Sequence, residues 1–218
     1  MSDEPRSADT RNKILEVAEG DFARDGYAGA HLQRIAEQVG VQKTAVYYYF
    51  PSKAALYTAV LERMLEAFER SIQHATGGDG SPRTRLERLV HALNDVLAEH
   101  RNYSKILIRI FVDRAQVDYA VIGPRVERIV GPLLRFYHEG VETGAFRRLS
   151  ARHFFQSLLG VTVFHYAASD FSAGVLEVGD IFTASAVAWR RDEVTRLLEH
   201  GVLAGDDEGA EGSGHDPG

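Results

Sequence analysis

The chain has 218 residues, of which 44% are hydrophobic and 26% charged, so it can form a globular core of its own. It contains no cysteine, which excludes disulfides, thiolate metal sites and a cysteine nucleophile. The formal net charge is −6, and residues 206–218 hold five acids without a lysine or arginine. Most of the negative charge therefore lies in this tail, and the net charge does not exclude a nucleic-acid partner, since phosphate binding depends on local charge.

The hydropathy pattern predicts the cellular location of the protein. The first ten residues lack the basic start and apolar stretch of a secretory signal. No run approaches the roughly 20 apolar residues of a membrane span. We therefore expect a cytoplasmic protein without a membrane partner.

Nearly every segment shows helical periodicity, which predicts an all-α fold of about nine helices. Gly26 and Gly40 are expected to end the first two helices, and Ser52 is expected to be the N-cap of the fourth. The glycines of 76–82 predict a loop after a long fourth helix. The predicted helices are 8–24, 31–38, 42–49, 53–75, 82–100, 102–115, 124–142, 151–169 and 179–203.

Residues 32–50 combine a short helix, a glycine turn and a second short helix. This arrangement is typical of a helix-turn-helix, although it also occurs in all-helical proteins that never bind DNA. At about 100° per residue, Val46 and Phe50 define a buried side, Tyr48 points away from it, and Tyr47 and Tyr49 lie on the flanks.

Three consecutive tyrosines cannot all be in the core. Exposed tyrosines beside Lys43 and Lys53 suit contact with phosphates and base edges. A tyrosine-rich surface packed on another helix explains the periodicity equally well.

The segment from Ile14 to Leu56 resembles the DNA-binding domain of the TetR (tetracycline repressor) family. The resemblance rests on Ala18, Phe22, Gly26-Tyr27, Ile35-Ala36, Gly40-Val41, the run from Val46 to Phe50, and Ser52-Lys53. It implies an N-terminal three-helix helix-turn-helix domain, joined by the long helix 4 to a C-terminal helical ligand-binding and dimerisation domain. The expected boundaries are 8–52 for the first domain, 53–204 for the second, and 205–218 for a disordered acidic tail.

The resemblance also assigns roles to single residues. Tyr47, Tyr49 and Lys53 match positions that hold phosphates, and the start of the third helix matches the base-reading positions. Ala30 stands where a threonine usually caps helix 2, a departure that bears on affinity and operator sequence. The residues expected to bind DNA are His31, Gln42, Lys43, Thr44, Ala45, Tyr47, Tyr48, Tyr49 and Lys53.

The predicted helix 151–169 is apolar almost all round, so it must be covered on both sides. Small residues and Trp189 in the last helix suit pairing with a second copy, with a large monomeric core as the alternative. The predicted dimer residues are Phe155, Leu158, Leu159, Thr162, Ala184, Ala188 and Trp189.

The resemblance further implies a ligand cavity among helices 5 to 7, where apolar side chains with a few polar groups are expected. For each candidate, ordinary core packing is the alternative. The candidates are Tyr103, Ile106, Phe111, Phe136, Tyr137, Phe164, His165 and Tyr166.

No catalytic or metal-binding motif occurs: there is no Gly-x-Ser-x-Gly, phosphate loop or His-Glu-x-x-His. We therefore expect no enzyme, cofactor or metal. The predicted function is transcriptional repression by a homodimer that binds palindromic double-stranded operator DNA and is released by an unidentified small-molecule effector. The alternative is a helical small-molecule-binding protein that does not bind DNA.

Overall fold

The computed structural model describes residues 4–112 and 118–204. The predicted tail 205–218 and the predicted helical residues 113–115 lie outside them. The described parts form ten α-helices and one isolated β-bridge between Phe146 and Leu203, which confirms the all-α prediction. The helices are α1 Glu4–Gly29, α2 Leu32–Val39, α3 Lys43–Tyr49, α4 Lys53–Thr76, α5 Pro82–Glu99, α6 Tyr103–Val112, α7 Tyr119–Glu142, α8 Ala151–Ala167, α9 Ser169–Val175 and α10 Ala184–Val202.

The predicted breaks between the first four helices are confirmed. Gly26 has a φ of 70° and interrupts α1, and Gly40 has a φ of 79° and ends α2. Both conformations are left-handed, where a side chain would be strained. Ser52 caps α4, because its Oγ accepts a hydrogen bond of 3.0 Å from the amide of Ala55.

Three predicted boundaries were wrong in the second half of the chain. Asp118 caps α7 through a 3.0 Å bond from the amide of Ala120, so the helix begins ahead of Pro124. The predicted helix 151–169 ends at Ala167, and a separate short helix, α9, follows it. The last helix begins at Ala184 because Thr183 caps it.

Helix α4 connects the N-terminal helices to the rest of the molecule. It packs against α1 on one side and against α5 and α7 on the other. Its buried side chains, among them Leu56, Leu61 and Met64, belong to one hydrophobic cluster that runs from α1 to α10. In 4–112 and 118–204 no helix is long and apolar enough to cross a membrane.

Asp21 ties α1 to α2. Its carboxylate is 1% exposed and lies 2.9 Å from Nε of Arg34 on α2 and 2.6 Å from Nη2 of Arg24. Arg34 also pairs with Asp25, and the pKa of Asp25 is lowered, chiefly by its hydrogen bond with Arg24. The placement of α2, and of α3 beyond it, therefore depends on this buried carboxylate.

Candidate nucleic-acid interface

Helix α3 lies on the outside of the molecule with its tyrosines exposed. Val46 and Phe50 are buried in the hydrophobic cluster, as the helical geometry predicted. On the opposite side, Tyr48 is 81% exposed and Tyr47 is 45% exposed. The alternative, a tyrosine face packed within the chain, does not hold for these two rings.

The N-terminal end of α3 adds polar side chains to the same surface. Gln42, Lys43 and Thr44 are exposed, while Ala45 is half-buried. The Lys43 ammonium lies 5.8 Å from the centroid of the Tyr47 ring. Residues 40–53 contain no aspartate or glutamate, so this surface has no acidic group of its own to repel a phosphate. We call the exposed side chains of Gln42, Lys43, Thr44, Tyr47 and Tyr48 the reading face.

Lys53, at the start of α4, is partly engaged within the chain. Its Nζ donates a 3.0 Å hydrogen bond to the carbonyl oxygen of Ala28 and lies 4.9 Å from the Tyr27 ring centroid. Burial lowers the pKa of this lysine. Lys53 thus joins the turn before α2 to the start of α4, and its contact with a phosphate stays a prediction.

The turn before α2 lacks a side-chain cap. His31 is the N-cap residue, is exposed, and makes no side-chain hydrogen bond to the helix, and Ala30 is buried. A capping hydroxyl at this place typically contributes about 1 kcal/mol. The structure thus places the N-cap of α2 at His31, one residue after Ala30, where the resemblance had placed the capping position, and no side-chain cap forms there.

Sequence reasoning missed the N-terminal end of α1. The helix begins at Glu4, ahead of the predicted residue 8, and this extension reaches α3. Tyr49 donates a 3.1 Å hydrogen bond to Ser7 Oγ, and the Arg11 guanidinium lies 5.1 Å from the centroid of the Phe50 ring. Arg11 is therefore an exposed cation beside the reading face. The three basic residues in the first 13 positions, Arg6, Arg11 and Lys13, could have indicated that this segment lies near DNA.

A short exposed helix, braced by a preceding helix across a glycine turn, is the DNA-reading unit of the helix-turn-helix proteins. The chain contains this unit in α2 and α3. Residues 14–60 match the family described as bacterial regulatory proteins, tetR family. The helix-turn-helix of this chain is therefore similar to the DNA-binding domain of the TetR family.

Known relatives agree with this assignment. The transcriptional regulator RutR of Escherichia coli K12 is 33% identical over 96 residues, which are 44% of this chain and 45% of RutR. The chain thus matches about half the length of such curated relatives, and the likeness in sequence concerns that half.

Solved structures extend the likeness in fold to most of the chain. The ketosteroid regulator KstR2 of Mycobacterium tuberculosis has a TM-score of 0.73 at 18% identity, covering 89% of this chain and 95% of KstR2. AibR, solved with isovaleryl coenzyme A and operator DNA, has a TM-score of 0.69 at 20% identity, covering 86% of this chain and 97% of AibR. The fold of the body is therefore one that these solved structures share.

The predicted ligand residues have different neighbours in the described part of the body, and their role in ligand binding stays a prediction. Phe136 and Tyr137 pack with Phe146, and Tyr137 bonds to the backbone around Leu149. Tyr166 donates a 3.2 Å hydrogen bond to Asn94 in a different part of the core. The remaining candidates are buried Tyr103, Ile106 and His165, and exposed Phe111 and Phe164.

Two open clefts lie on the body instead. One, of about 360 Å³, is bordered by Arg101, Asn102 and Lys105 near the start of α6 and by Asp180 and Phe182 before α10. The other, of about 390 Å³, lies between α4, α5 and α7. Of the predicted ligand residues, Phe136 borders the second cleft. The described residues include no group of three or more histidines and acids placed to hold a metal ion.

The predicted dimer residues of α10 are all exposed, whereas those of α8 are divided between exposed and buried positions. Leu159, Ala184, Ala188 and Trp189 are exposed, and Phe155 is half-buried. Leu158 and Thr162 instead pack inside the chain, so they offer no surface to a second copy; this corrects their sequence-based placement.

Exposed apolar side chains continue across α8, α9 and α10. Sequence reasoning missed Phe171 and Val175, noted Leu197 only as an apolar residue of the last helix, and placed Phe164 in the ligand set. We call these exposed apolar residues the α8–α10 face: Leu159, Phe164, Phe171, Val175, Trp189 and Leu197.

His165 makes stability depend on pH. It is 5% exposed, its Nε2 has no hydrogen-bond partner in the described part of the chain, and burial together with the charge of Arg190 lowers its pKa to about 4. At a pH between about 4 and the unfolded pKa near 6.5, the His165 ring is protonated in the unfolded chain but neutral in the folded chain. Lowering the pH from 7.5 to 5.5 is therefore expected to cost about 1 kcal/mol through this residue alone.

His165→Leu is the variant that isolates this effect. Urea titrations at both pH values should show a pH-dependent loss that is smaller in the variant by that amount. At pH 7.5 the variant should be as stable as the wild type or slightly more so, because a buried ring nitrogen without a partner is removed. An identical pH dependence in both proteins contradicts the prediction.

Proposed function

We propose that the chain is a DNA-binding transcriptional regulator that acts as a homodimeric repressor on a palindromic operator and is released by a small molecule. The exposed reading face of α3 is the observation on which this proposal depends. Two copies of α3 related by a twofold axis would enter successive major grooves about 34–36 Å apart. Residues 8–52 serve as the DNA-binding domain and residues 53–204 as the sensing and dimerisation body.

The DNA-binding role is tested with a palindromic duplex from the region upstream of the chain's own gene. We expect tight binding that weakens steeply between 50 and 200 mM salt, because lysines and arginines displace counterions from phosphates. A scrambled duplex of equal length is the control. The alternative function, small-molecule binding without DNA, predicts equal and weak retention of both duplexes. The exposure of Tyr48 favours the first outcome.

The α8–α10 face supports the proposed dimer. Exposed apolar side chains spread over three helices are typical of an interface with a partner. In Trp189→Glu with Leu197→Glu, we expect the dimer dissociation constant to rise at least thirtyfold, since a buried anchor contributes about 2 kcal/mol. Sedimentation equilibrium measures the change.

Val130→Glu, on exposed α7, is the matched control for dimerisation. It places a glutamate on an apolar surface position outside the α8–α10 face and should leave the dimer intact. A wild-type chain that sediments as a monomer, or a Val130 variant that dissociates as well, would contradict this interface.

The effector is proposed to bind the body, where the two clefts offer candidate sites. AibR was solved with both isovaleryl coenzyme A and operator DNA, so a protein of this fold can hold a small molecule as well as DNA. The effector acts only through its different affinities for the DNA-bound and released shapes, typically about 1–3 kcal/mol of coupling. No catalytic role is proposed, and we place the protein in the cytoplasm, where its DNA lies.

A further inference from the structure

Glu19 is a buried acid at the contact between α1 and the body. Only 7% of the residue is exposed. Its Oε2 lies 3.0 Å from Nη2 of Arg63 on α4, and its Oε1 accepts a 3.2 Å hydrogen bond from Nδ2 of Asn102, the residue before α6. One carboxylate of the DNA-binding domain thus joins two different helices of the body.

Tyr103 completes this cluster. It is fully buried and stacks on His100 with ring centroids 4.4 Å apart. Burial and the charge of Glu19 raise the pKa of Tyr103, while a hydrogen bond with Arg63 acts in the opposite direction. This tyrosine, a ligand candidate by sequence, therefore belongs to the contact between the domain and the body.

Helix α6 holds α1 at a second point as well. Nη2 of Arg109 donates a 2.8 Å hydrogen bond to the carbonyl oxygen of Arg24. The two contacts lie in the same order along both helices, so α6 runs beside α1 in the same direction. Helix α6 also packs against α8, which carries Leu159 and Phe164 of the α8–α10 face. Helix α6 is therefore placed between the body and the DNA-binding domain.

We propose that Glu19 is the joint through which the body sets the orientation of the DNA-reading helices. Moving α1 away from α4 or α6 would leave a buried carboxylate or a partly buried guanidinium without its partner, which is strongly unfavourable. The joint therefore favours a defined arrangement of α1, and α1 fixes α2 through Asp21 and Arg34. The value of this positioning role to the protein rests on the proposed function. The effect of Glu19 on the orientation of α1 can be measured without DNA.

The joint is also accessible from the surface of the body. Asn102 borders the cleft of about 360 Å³ at the start of α6. A molecule bound in this cleft would touch a residue that bonds directly to Glu19. The cleft thus offers a short path from a bound molecule to the DNA-binding domain.

The variants Glu19→Gln and Asn102→Ala test the joint. Because the chain has no cysteine, spin labels at Glu16→Cys on α1 and Glu127→Cys on α7, both exposed, report the orientation of α1 relative to the body. Labelled subunits are diluted with unlabelled ones so that distances within a subunit dominate. We expect a narrow distance distribution in the wild type and a broadened or shifted one in both variants, with duplex affinity reduced about fivefold.

Asn94→Ala is the matched control. Asn94 is fully buried and, like Asn102, forms side-chain hydrogen bonds: it donates to the Val90 carbonyl and accepts from Tyr166, away from α1. This variant should lower the melting temperature while leaving the distance distribution and duplex affinity unchanged at temperatures where it is folded. Asn102→Ala, at a half-exposed position, keeps the test valid if Glu19→Gln does not fold.

Two results would overturn the joint. In the first, both variants keep the wild-type distance distribution. In the second, Asn94→Ala changes the distances and affinity as much as Asn102→Ala does, which would make the cluster a general stabiliser. A wild type that binds no duplex refutes the proposed function instead, and the distance measurement still decides the joint.

Discussion

Replacing Lys43 and Tyr48 together by alanine is expected to weaken operator binding about a hundredfold without lowering the melting temperature. Both side chains are exposed on the reading face and contribute little to the core. Base and phosphate contacts are typically worth about 1–3 kcal/mol each, so losing two accounts for this factor. Loss of one lysine should also reduce the slope of log affinity against log salt by about one.

Arg148→Ala with Tyr119→Ala is the control for this experiment. It removes one cation and one tyrosine from exposed positions outside the helix-turn-helix and outside both clefts. We expect its affinity and salt slope to equal those of the wild type in a fluorescence anisotropy titration. If both double variants bind the operator as the wild type does, α3 is not the DNA-reading helix.

Asp21→Ala is expected to lower the free energy of unfolding by about 3 kcal/mol. The change removes a fully buried carboxylate and leaves Arg24 and Arg34 without it. Removing one partner of a buried pair typically costs about 3–5 kcal/mol, and the partial exposure of both arginines places this case at the lower end. Urea titration followed by circular dichroism measures the loss.

Asp9→Ala provides the comparison on the same helix. Asp9 pairs with Lys13 at 2.7 Å, and both side chains are largely exposed. An exposed pair of this kind is worth at most about 1 kcal/mol, so this variant should stay close to the wild type. Equal losses in the two variants would mean that burial does not decide the strength of the Asp21 contacts.

Asp21→Ala should also weaken operator binding where the protein is still folded, because α2 is then free to move against α1. The sequence shows Asp21, Arg24 and Arg34 only as charges on two predicted helices. Their convergence depends on the angle at which α2 crosses α1, which no local pattern specifies. This cluster was accordingly absent from the sequence predictions.

Local patterns were sufficient where the structure depends on neighbours in the chain. Gly26 and Gly40 adopt left-handed conformations that favour glycine, Ser52 caps the helix that follows it, and the faces of α3 follow from 3.6 residues per turn. For these reasons the breaks between the first four helices could be predicted, and so could the direction of Tyr48 away from the buried side of α3. The polar and aromatic side chains of the reading face are likewise close together in the sequence, between Gln42 and Tyr48.

Only the tertiary structure decided which sides of the body helices face inward. Helix α8 is apolar almost all round, so its sequence could not show that Leu158 and Thr162 are buried while Leu159 and Phe164 are exposed. Nor could the sequence show that Tyr103 lies at the joint with Glu19, or that Arg11 lies beside α3. These placements depend on contacts between residues far apart in the chain, and periodicity gives the spacing of a helical face but not the partner it meets.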